Sequence, residues 1–350
     1  PALAAAAFAA ALAGWKATAL SALSDRQVRQ VLGLDQFDGH PEEEEHPDLL
    51  CAVHPVNQSG LSRDLPGEVV SAFASLPVAG RPNRLSKAPV RWPAIAEVAR
   101  NTRKPAGPGP QQQAETAGFI PDPGGRLSAA DTIRQRRSAT DFDPEFTLSL
   151  DHFLAMLDKT RPRPDTPPFD AAFGPPEVHL FMFVHRVEGL APGLYLLVRD
   201  PAAHEPLRGA LHPHFSWDAV EPGFPLFLLE TGDFRQIALR VSCHQPIAGA
   251  GAFSLGMIAR FRETVSKAPW AYRHLFWETG MIGQVLYLEA EARGLRGTGI
   301  GCFFDDPVHE LLGLRDDAFQ SLYHFTVGDP VEDPRLATLP AYFHLAGRRE

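Results

Sequence analysis

The chain has 350 residues, 44% hydrophobic and 21% charged, which excludes global disorder, collagen and fibres and leaves enough chain for two domains or one domain with an extension. Its 42 acidic residues outweigh 33 basic ones, a formal charge of −9. That is the wrong sign for a general nucleic-acid binder, because neutralising phosphates requires Lys and Arg. Cys51, Cys243 and Cys302 are far apart with no Cys-x-x-Cys step. This spacing suggests neither a disulfide framework nor a zinc finger, and a reducing, cytoplasmic setting is the expectation.

The opening run 2–13 is apolar and Ala-rich, too short for a bilayer span and without the basic region of a signal peptide. No membrane partner is expected. The first residue is Pro, which reads as a trimmed chain or one that starts within a longer product. Residues 36–126 are rich in helix breakers, with Pro105, Pro108, Pro110, Pro121 and Pro123 around Gln111, Gln112 and Gln113. They read as loops and a linker, and the acidic run Glu42 to Glu45 as a solvated loop.

Regular structure becomes legible after Leu127. Ser128 followed by Asp131 predicts a capped helix to about Arg137, and Ser149 caps a second with Phe153, Leu154 and Leu157 on one face. Runs 177–187 and 193–198 read as strands joined by a turn, and 225–229, 253–261 and 319–327 as further strands. The longest helical pattern, 272–293, is apolar on more than one stripe and ends at Gly294, so a buried central helix is expected. Gly280 and Gly283 would let another backbone or a flat ligand approach it. Asp306 and Pro307 read as N-cap and first turn of a short helix closed by Gly313. The mixture lacks strict βαβ alternation, so the fold class is α+β.

An internal repeat adds to this. Residues 14–35 align without gaps to 294–315, with seven of 22 positions identical: Gly14/Gly294, Thr18/Thr298, Asp25/Asp305, Val28/Val308, Leu32/Leu312, Gly33/Gly313 and Leu34/Leu314. Chance would supply on the order of one or two. The pattern suggests a tandem duplication whose first copy survives only as its end.

Two segments carry chemistry. Arg134, Arg136, Arg137 and Ser138 gather three guanidinium forks and a hydroxyl, a donor set suited to phosphate oxygens. The run Gly297-Thr298-Gly299-Ile300-Gly301-Cys302-Phe303 is strand-like and glycine-rich, so its backbone amides can approach a planar ligand. It is not a dinucleotide fingerprint, because no GxGxxG opens a helix there. No HExxH, GxSxG or P-loop is present, and no metal site is expected. His179 and His185, six apart in one predicted strand, read as structural.

In order, IRQRRSATDF (133–142), VEGLAPGLYLL (187–197), the long helix 272–295 and GIGCFFDDPVHELLGL (299–314) resemble the FMN-dependent nitroreductase superfamily. The similarity is greatest to its azoline-oxidising SagB-type dehydrogenases of thiazole/oxazole peptide pathways. The resemblance implies a three-layer α/β/α sandwich with a mainly antiparallel sheet and FMN at a subunit interface. It implies three regions: 1–55, the C-terminal remnant of a degenerate copy; 56–126, a linker; and 127–350, the FMN domain. It assigns Arg136, Arg137 and Ser138 to the phosphate, ribityl chain and pyrimidine edge. Ile300, Gly301 and Cys302 fall near flavin N5, and Lys267 falls on a catalytic base. The implied activity is hydride transfer to or from N5 in a ping-pong cycle, possible substrates being peptide azolines. A nitro or quinone reductase using NAD(P)H and a non-catalytic binding or assembly protein are the alternatives. A homodimer or pseudo-dimer through the long helix, acting on a small-molecule or peptide substrate, is expected. Thr140 stands where the family carries a basic residue, and Pro168-Phe169-Asp170-Ala171 where the azoline branch carries Pro-Ser-Ala-Gly.

Overall fold

The computed structural model describes residues 1–36, 44–58, 62–80, 86–90, 92–109, 120–125, 127–171 and 174–345. Glu42, Glu43, Pro110 and Gln111 to Gln113 lie outside the described residues. Glu44 and Glu45 are exposed, and Glu44 pairs with Arg29 at 3.2 Å.

The N-terminal part comprises α1 (Ala2–Leu12), β1 (Trp15–Ala19), α2 (Asp25–Val31) and β2 (Cys51–Pro55), with β1 and β2 forming a two-stranded antiparallel sheet. Ser24 caps α2 reciprocally with Gln27. The stretch expected to be irregular holds two helices, α3 (Gly67–Ala74) and α4 (Pro93–Asn101). Their prolines act as starters: Pro66 precedes α3 and Pro93 opens α4. A proline's fixed φ and missing N–H cost nothing in a first turn.

The remainder begins with α5 (Ala129–Gln135), α6 (Leu150–Asp158), β3 (Val178–Val184) and β4 (Gly193–Leu197). Then come α7 (His204–Ala210), β5 (Asp218–Glu221), β6 (Phe224–Thr231), α8 (Arg235–Val241), α9 (Ile247–Ala250) and β7 (Phe253–Arg260). The series closes with α10 (Phe261–Lys267), α11 (Tyr272–Ala292), β8 (Arg296–Ile300), α12 (Asp305–Leu312) and β9 (Phe319–Gly328). Seven strands form one sheet in the order β5-β6-β4-β3-β7-β9-β8, every neighbouring pair antiparallel.

Strand β3 is buried along its whole length and feeds two cores, because alternate side chains leave opposite faces. Leu180, Met182 and Val184 join one core with α1, α6 and α11, while Phe181 and Phe183 join the other with α7, α8, α9 and α12. The result is the expected α+β sandwich of three layers with a long buried helix. A buried Arg199–Glu278 ion pair ties the end of β4 to α11. Among the described residues no helix is long and apolar enough to cross a membrane.

Two boundaries differ from expectation. Helix α5 stops at Gln135, with Arg136 already extended as its C-cap, so Arg136 and Arg137 lie beyond the helix. Helix α12 starts at Asp305 with Phe304 as N-cap, which puts Pro307 at the third helical position rather than the first. Asp305 and Asp306 together face the positive end of the helix. Gly294 (φ +77°) and Gly313 (φ +82°) terminate their helices in the left-handed region as expected.

The two repeat segments have the same local structure. The order helix, strand, helix, strand holds in α1-β1-α2-β2 and in α11-β8-α12-β9, and both strand pairs are antiparallel. Helices α2 and α12 begin at the aligned Asp25 and Asp305. Gly14 (φ +74°) and Gly33 (φ +66°) share the left-handed conformation of Gly294 and Gly313. Helix α1 lies on α11, with Leu3, Ala4, Ala7 and Ala10 buried. Pro1 sits so close to Gly280 that a Cβ there would collide with it, the near approach of backbone anticipated at this glycine.

Candidate functional site at the β8 edge

Strand β8 is the last in the sheet, and its outer edge meets the segment that leaves α5. Ser138 pairs with Gly297 in a short parallel bridge, and the Thr298 hydroxyl donates to the Ala139 carbonyl at 2.9 Å. Tyr287, on α11, joins the two. Its hydroxyl accepts from the Gly299 N–H at 2.8 Å and lies 3.0 Å from the Ser138 hydroxyl. The Arg136 guanidinium sits 4.4 Å from the centre of the Tyr287 ring, a cation–π contact. The ring's other neighbour is Phe325, edge-on at 4.8 Å. The arginine segment and the glycine segment, 160 residues apart in sequence by Arg137 and Gly297, are therefore one site.

Two glycine amides lie near the end of β8, that of Gly299 within the strand and that of Gly301 just past its last residue, Ile300. Tyr287 takes the first. Among the described residues no hydrogen bond engages the Gly301 N–H, and a Cβ built on Gly301 would meet open space. Cys302 is exposed, whereas the Ile300 side chain is buried in the core below the sheet. Arg136 is half-buried and Arg137 exposed, the latter donating to the Thr338 hydroxyl at 2.8 Å. Thr140 and Asp141 open onto a cleft of about 650 Å³ whose opposite wall is Gln245, Pro246 and Ile247. The Gln245 amide reaches the Cys302 carbonyl at 3.4 Å, so this cleft adjoins both segments. Such a volume lies in the range of small-ligand sites. Burial and the neighbouring Tyr287 raise the Tyr323 phenol above its ordinary range.

The nitroreductase family profile matches residues 133–329, more than half of the chain, including Arg136 to Ser138, Tyr287 and strand β8. The chain belongs to the nitroreductase family. Among solved structures, a nitroreductase-like protein of Anabaena variabilis is similar over 94% of this chain, with 19% identity and a TM-score of 0.61. This chain spans 63% of that protein's length. A nitroreductase-like protein of Exiguobacterium sibiricum in complex with FMN matches 66% of this chain and 96% of its own, with 11% identity and TM-score 0.35. The Escherichia coli microcin synthetase McbBCD complex matches 72% of this chain and 85% of its own, with 20% identity and TM-score 0.42. No curated protein matches.

Within the nitroreductase domain, Lys267 is not part of the β8 site. It ends α10, is 72% exposed, pairs with Glu263 four residues earlier, and borders a separate surface cleft with Pro206, Arg260 and Phe319. The 168–171 segment also faces elsewhere: Asp170 is buried against β1 and pairs with Lys16 at 3.2 Å. Burial raises the Asp170 carboxyl, and Lys16 opposes that rise. His179 and His185 are structural: the His179 ring accepts from the Arg199 N–H at 3.1 Å, and His185 Nε2 lies 3.0 Å from the Ala248 carbonyl.

Sequence reasoning missed three features. Tyr287 lies within the long helix and was not singled out. A second cleft, of about 490 Å³, lies between α1, α5 and α11, where Arg161 and Arg163 share the buried Asp158. Cys243 and Cys302, expected to be unpaired, form a disulfide, because the chain folds the end of α8 against the loop after β8. A 59-residue separation gave no local signal for it.

Proposed function

We propose that this nitroreductase-family chain is an FMN-dependent oxidoreductase that moves two electrons as hydride between a nicotinamide-type donor and an unsaturated small organic acceptor, in a ping-pong cycle. The observation that carries this reading is the clip made by Tyr287, which holds Arg136 and Ser138 against the Gly299 amide, two residues before the unengaged Gly301 amide. The donor set fits FMN: two guanidiniums for a dianionic phosphate, a serine hydroxyl, and an unengaged amide at an open strand edge.

When bound, FMN supplies the hydride-carrying centre; the chain supplies position and electrostatics. Arg136 and Arg137 would hold the phosphate, and Ser138 would add a hydroxyl toward the ribityl chain. Gly301, having no side chain, would admit a flat ring to its N–H, a donor able to steady negative charge on such a ring. Arg136, stacked on Tyr287, keeps its guanidinium oriented without side-chain disorder.

Reduction of a nitro or quinone group by NAD(P)H is the substrate reading we favour over azoline oxidation. Azoline oxidation calls for a protein base, and Lys267 stands on another surface. We also read 1–55 as the remnant of a second copy, 56–126 as its linker and 127–350 as the flavin domain. Helix α1 then takes, on α11, the place of a partner's helix, and the chain is its own pseudo-dimer. Matching left-handed glycines and matching helix starts support this.

The test is FMN uptake by the purified chain, followed by visible absorbance after gel filtration. A yellow, stoichiometric complex is expected. Arg136→Ala should weaken it by about 10- to 100-fold, since a charge-assisted hydrogen bond contributes about 1.5–3 kcal/mol. A colourless chain that takes up no FMN overturns the proposal and leaves a non-catalytic binding role.

A further inference from the structure

The loop that follows β8 is attached to the end of α8 at unequal strength along its length. Phe304 is firmly seated: its N–H donates to the Val241 carbonyl at 2.8 Å, and its ring meets His244. Phe303 stacks on His324 at 4.7 Å and 13°, and His324 is buried and paired with the Ser242 hydroxyl at 3.1 Å. Cys302 has less. Among the described residues, its disulfide to Cys243, with Cα atoms 5.5 Å apart, is joined by a single hydrogen bond, from Gln245 at 3.4 Å, and the Gly301 amide makes none. The covalent bond is thus the main tether on Gly301 and Cys302, the first two residues after β8.

The partner side is held in an uncommon backbone conformation. Cys243 (φ 58°) and His244 (φ 57°) both occupy the left-handed region, which consecutive non-glycine residues seldom adopt without an external restraint. Cys302 is exposed and Cys243 half-buried, so Cys302 is the more accessible residue of the pair.

We propose that Cys243–Cys302 is a thiol-exchange site for a dithiol reductant, and that its opening loosens Gly301 and Cys302 while Phe303 and Phe304 stay docked. A reductant thiolate attacks the Cys302 sulfur, the S–S bond breaks, and Cys243 leaves as a thiolate that takes a proton from water. The second reductant thiol then attacks its own sulfur in the mixed disulfide and releases Cys302 as a thiolate. Two electrons pass from the dithiol to the protein, and the reductant closes into its own disulfide. An intramolecular second step favours a dithiol over a monothiol. This chemistry is independent of flavin; only its effect on the Gly301 amide deepens the proposed function.

The test treats the oxidised, full chain with dithiothreitol under native conditions, then acid-quenches, denatures and alkylates. One alkylated cysteine, Cys51, is expected without reductant and three with it. Three in both conditions, after prior oxidation with diamide, would show that no bond forms; one in both would show that it is unreachable; either overturns the site. Backbone ¹⁵N relaxation resolved to single residues then reads the loop. Reduction should raise mobility at Gly301 and Cys302 and leave Phe304, whose N–H is held by the Val241 carbonyl, unchanged. Unchanged mobility at Cys302, or an equal rise at Phe304, overturns the loosening. Cys302→Ser and Cys243→Ser should each reproduce the reduced pattern without reductant, and Cys51→Ser should not. If neither redox state binds FMN, the flavin reading fails while the thiol result stands.

Discussion

Replacing Tyr287 by Phe removes one oxygen and tests whether the arginine and glycine segments depend on it. The hydroxyl makes two hydrogen bonds, one from the Gly299 N–H and one with Ser138. Each is worth about 0.5–1.5 kcal/mol net, and the half-buried Gly299 N–H loses its acceptor at a cost that overlaps the first of these. The expected loss is about 2 kcal/mol. For a domain of this size that lowers the unfolding midpoint by about 4–8 °C. The Phe ring keeps its face toward Arg136, so the cation–π contact, worth about 0.5–2 kcal/mol, survives. Tyr287→Leu removes that contact as well. Thermal unfolding with and without FMN separates the two variants. Tyr287→Phe should be less stable yet bind FMN within a few-fold of the parent, whereas Tyr287→Leu should bind distinctly more weakly. A Tyr287→Phe chain that melts with the parent would refute the clip. Equal FMN affinity in both variants would refute the orienting role given to the Arg136 stack.

Gly301→Ala should fold normally, because its Cβ meets open space, but bind FMN more weakly by titration; Gly299→Ala should destabilise the fold, because its Cβ collides with the Tyr323 hydroxyl. Lys267→Ala should leave turnover and FMN affinity unchanged and shift stability by less than about 0.5 kcal/mol, as expected of an exposed i,i+4 pair; a loss of turnover would return it to the site. Asp158→Asn should cost about 3–5 kcal/mol in denaturant unfolding, because it leaves Arg163, itself nearly buried, without its carboxylate. Burial lifts the Glu177 carboxyl from its ordinary 4.5 to about 7. Between those values the unfolded chain releases this proton and the folded chain keeps it, so the contribution to stability is full below pH 4.5 and falls as pH rises to about 7. Glu177→Gln should flatten that part of the stability–pH curve, and a curve of unchanged slope would count against it.

Much of the fold was legible because its signals are local. Ser128 and Ser149 cap the helices they precede, Gly294 and Gly313 stop theirs, and the apolar runs around Leu180 and Leu196 are the central strands. The site was half legible. Arg136 to Ser138 and Gly299 to Cys302 stood out by composition, and the structure brings them together. The missing pieces depend on long-range contact. Nothing near Tyr287 in sequence marks it as the joint between two distant segments. Pairing of Cys243 with Cys302 requires knowing that α8 ends beside β8. Lys267 was given a role, and the segment with Asp170 a place beside the flavin, by resemblance in motif order, and motif order does not report which side of the sheet a loop reaches. The prolines at 66 and 93 were read as interruptions although they begin helices, because residue type alone does not say which end of a helix a proline occupies.

The two borders of the large sheet differ in kind. At one, β5 is short and carries the exposed carboxylates of Asp218 and Glu221, which discourage a foreign strand from docking and propagating the ladder into a fibre. At the other, β8 carries no carboxylate: the Ser138 backbone bridges Gly297, the Tyr287 phenol takes the Gly299 N–H, and among the described residues nothing takes the N–H of Gly301 just past the strand. The Gly301 donor left there would be capped by a small ligand, which would close that border to a docking strand. Ligand-free protein should therefore be the more aggregation-prone form.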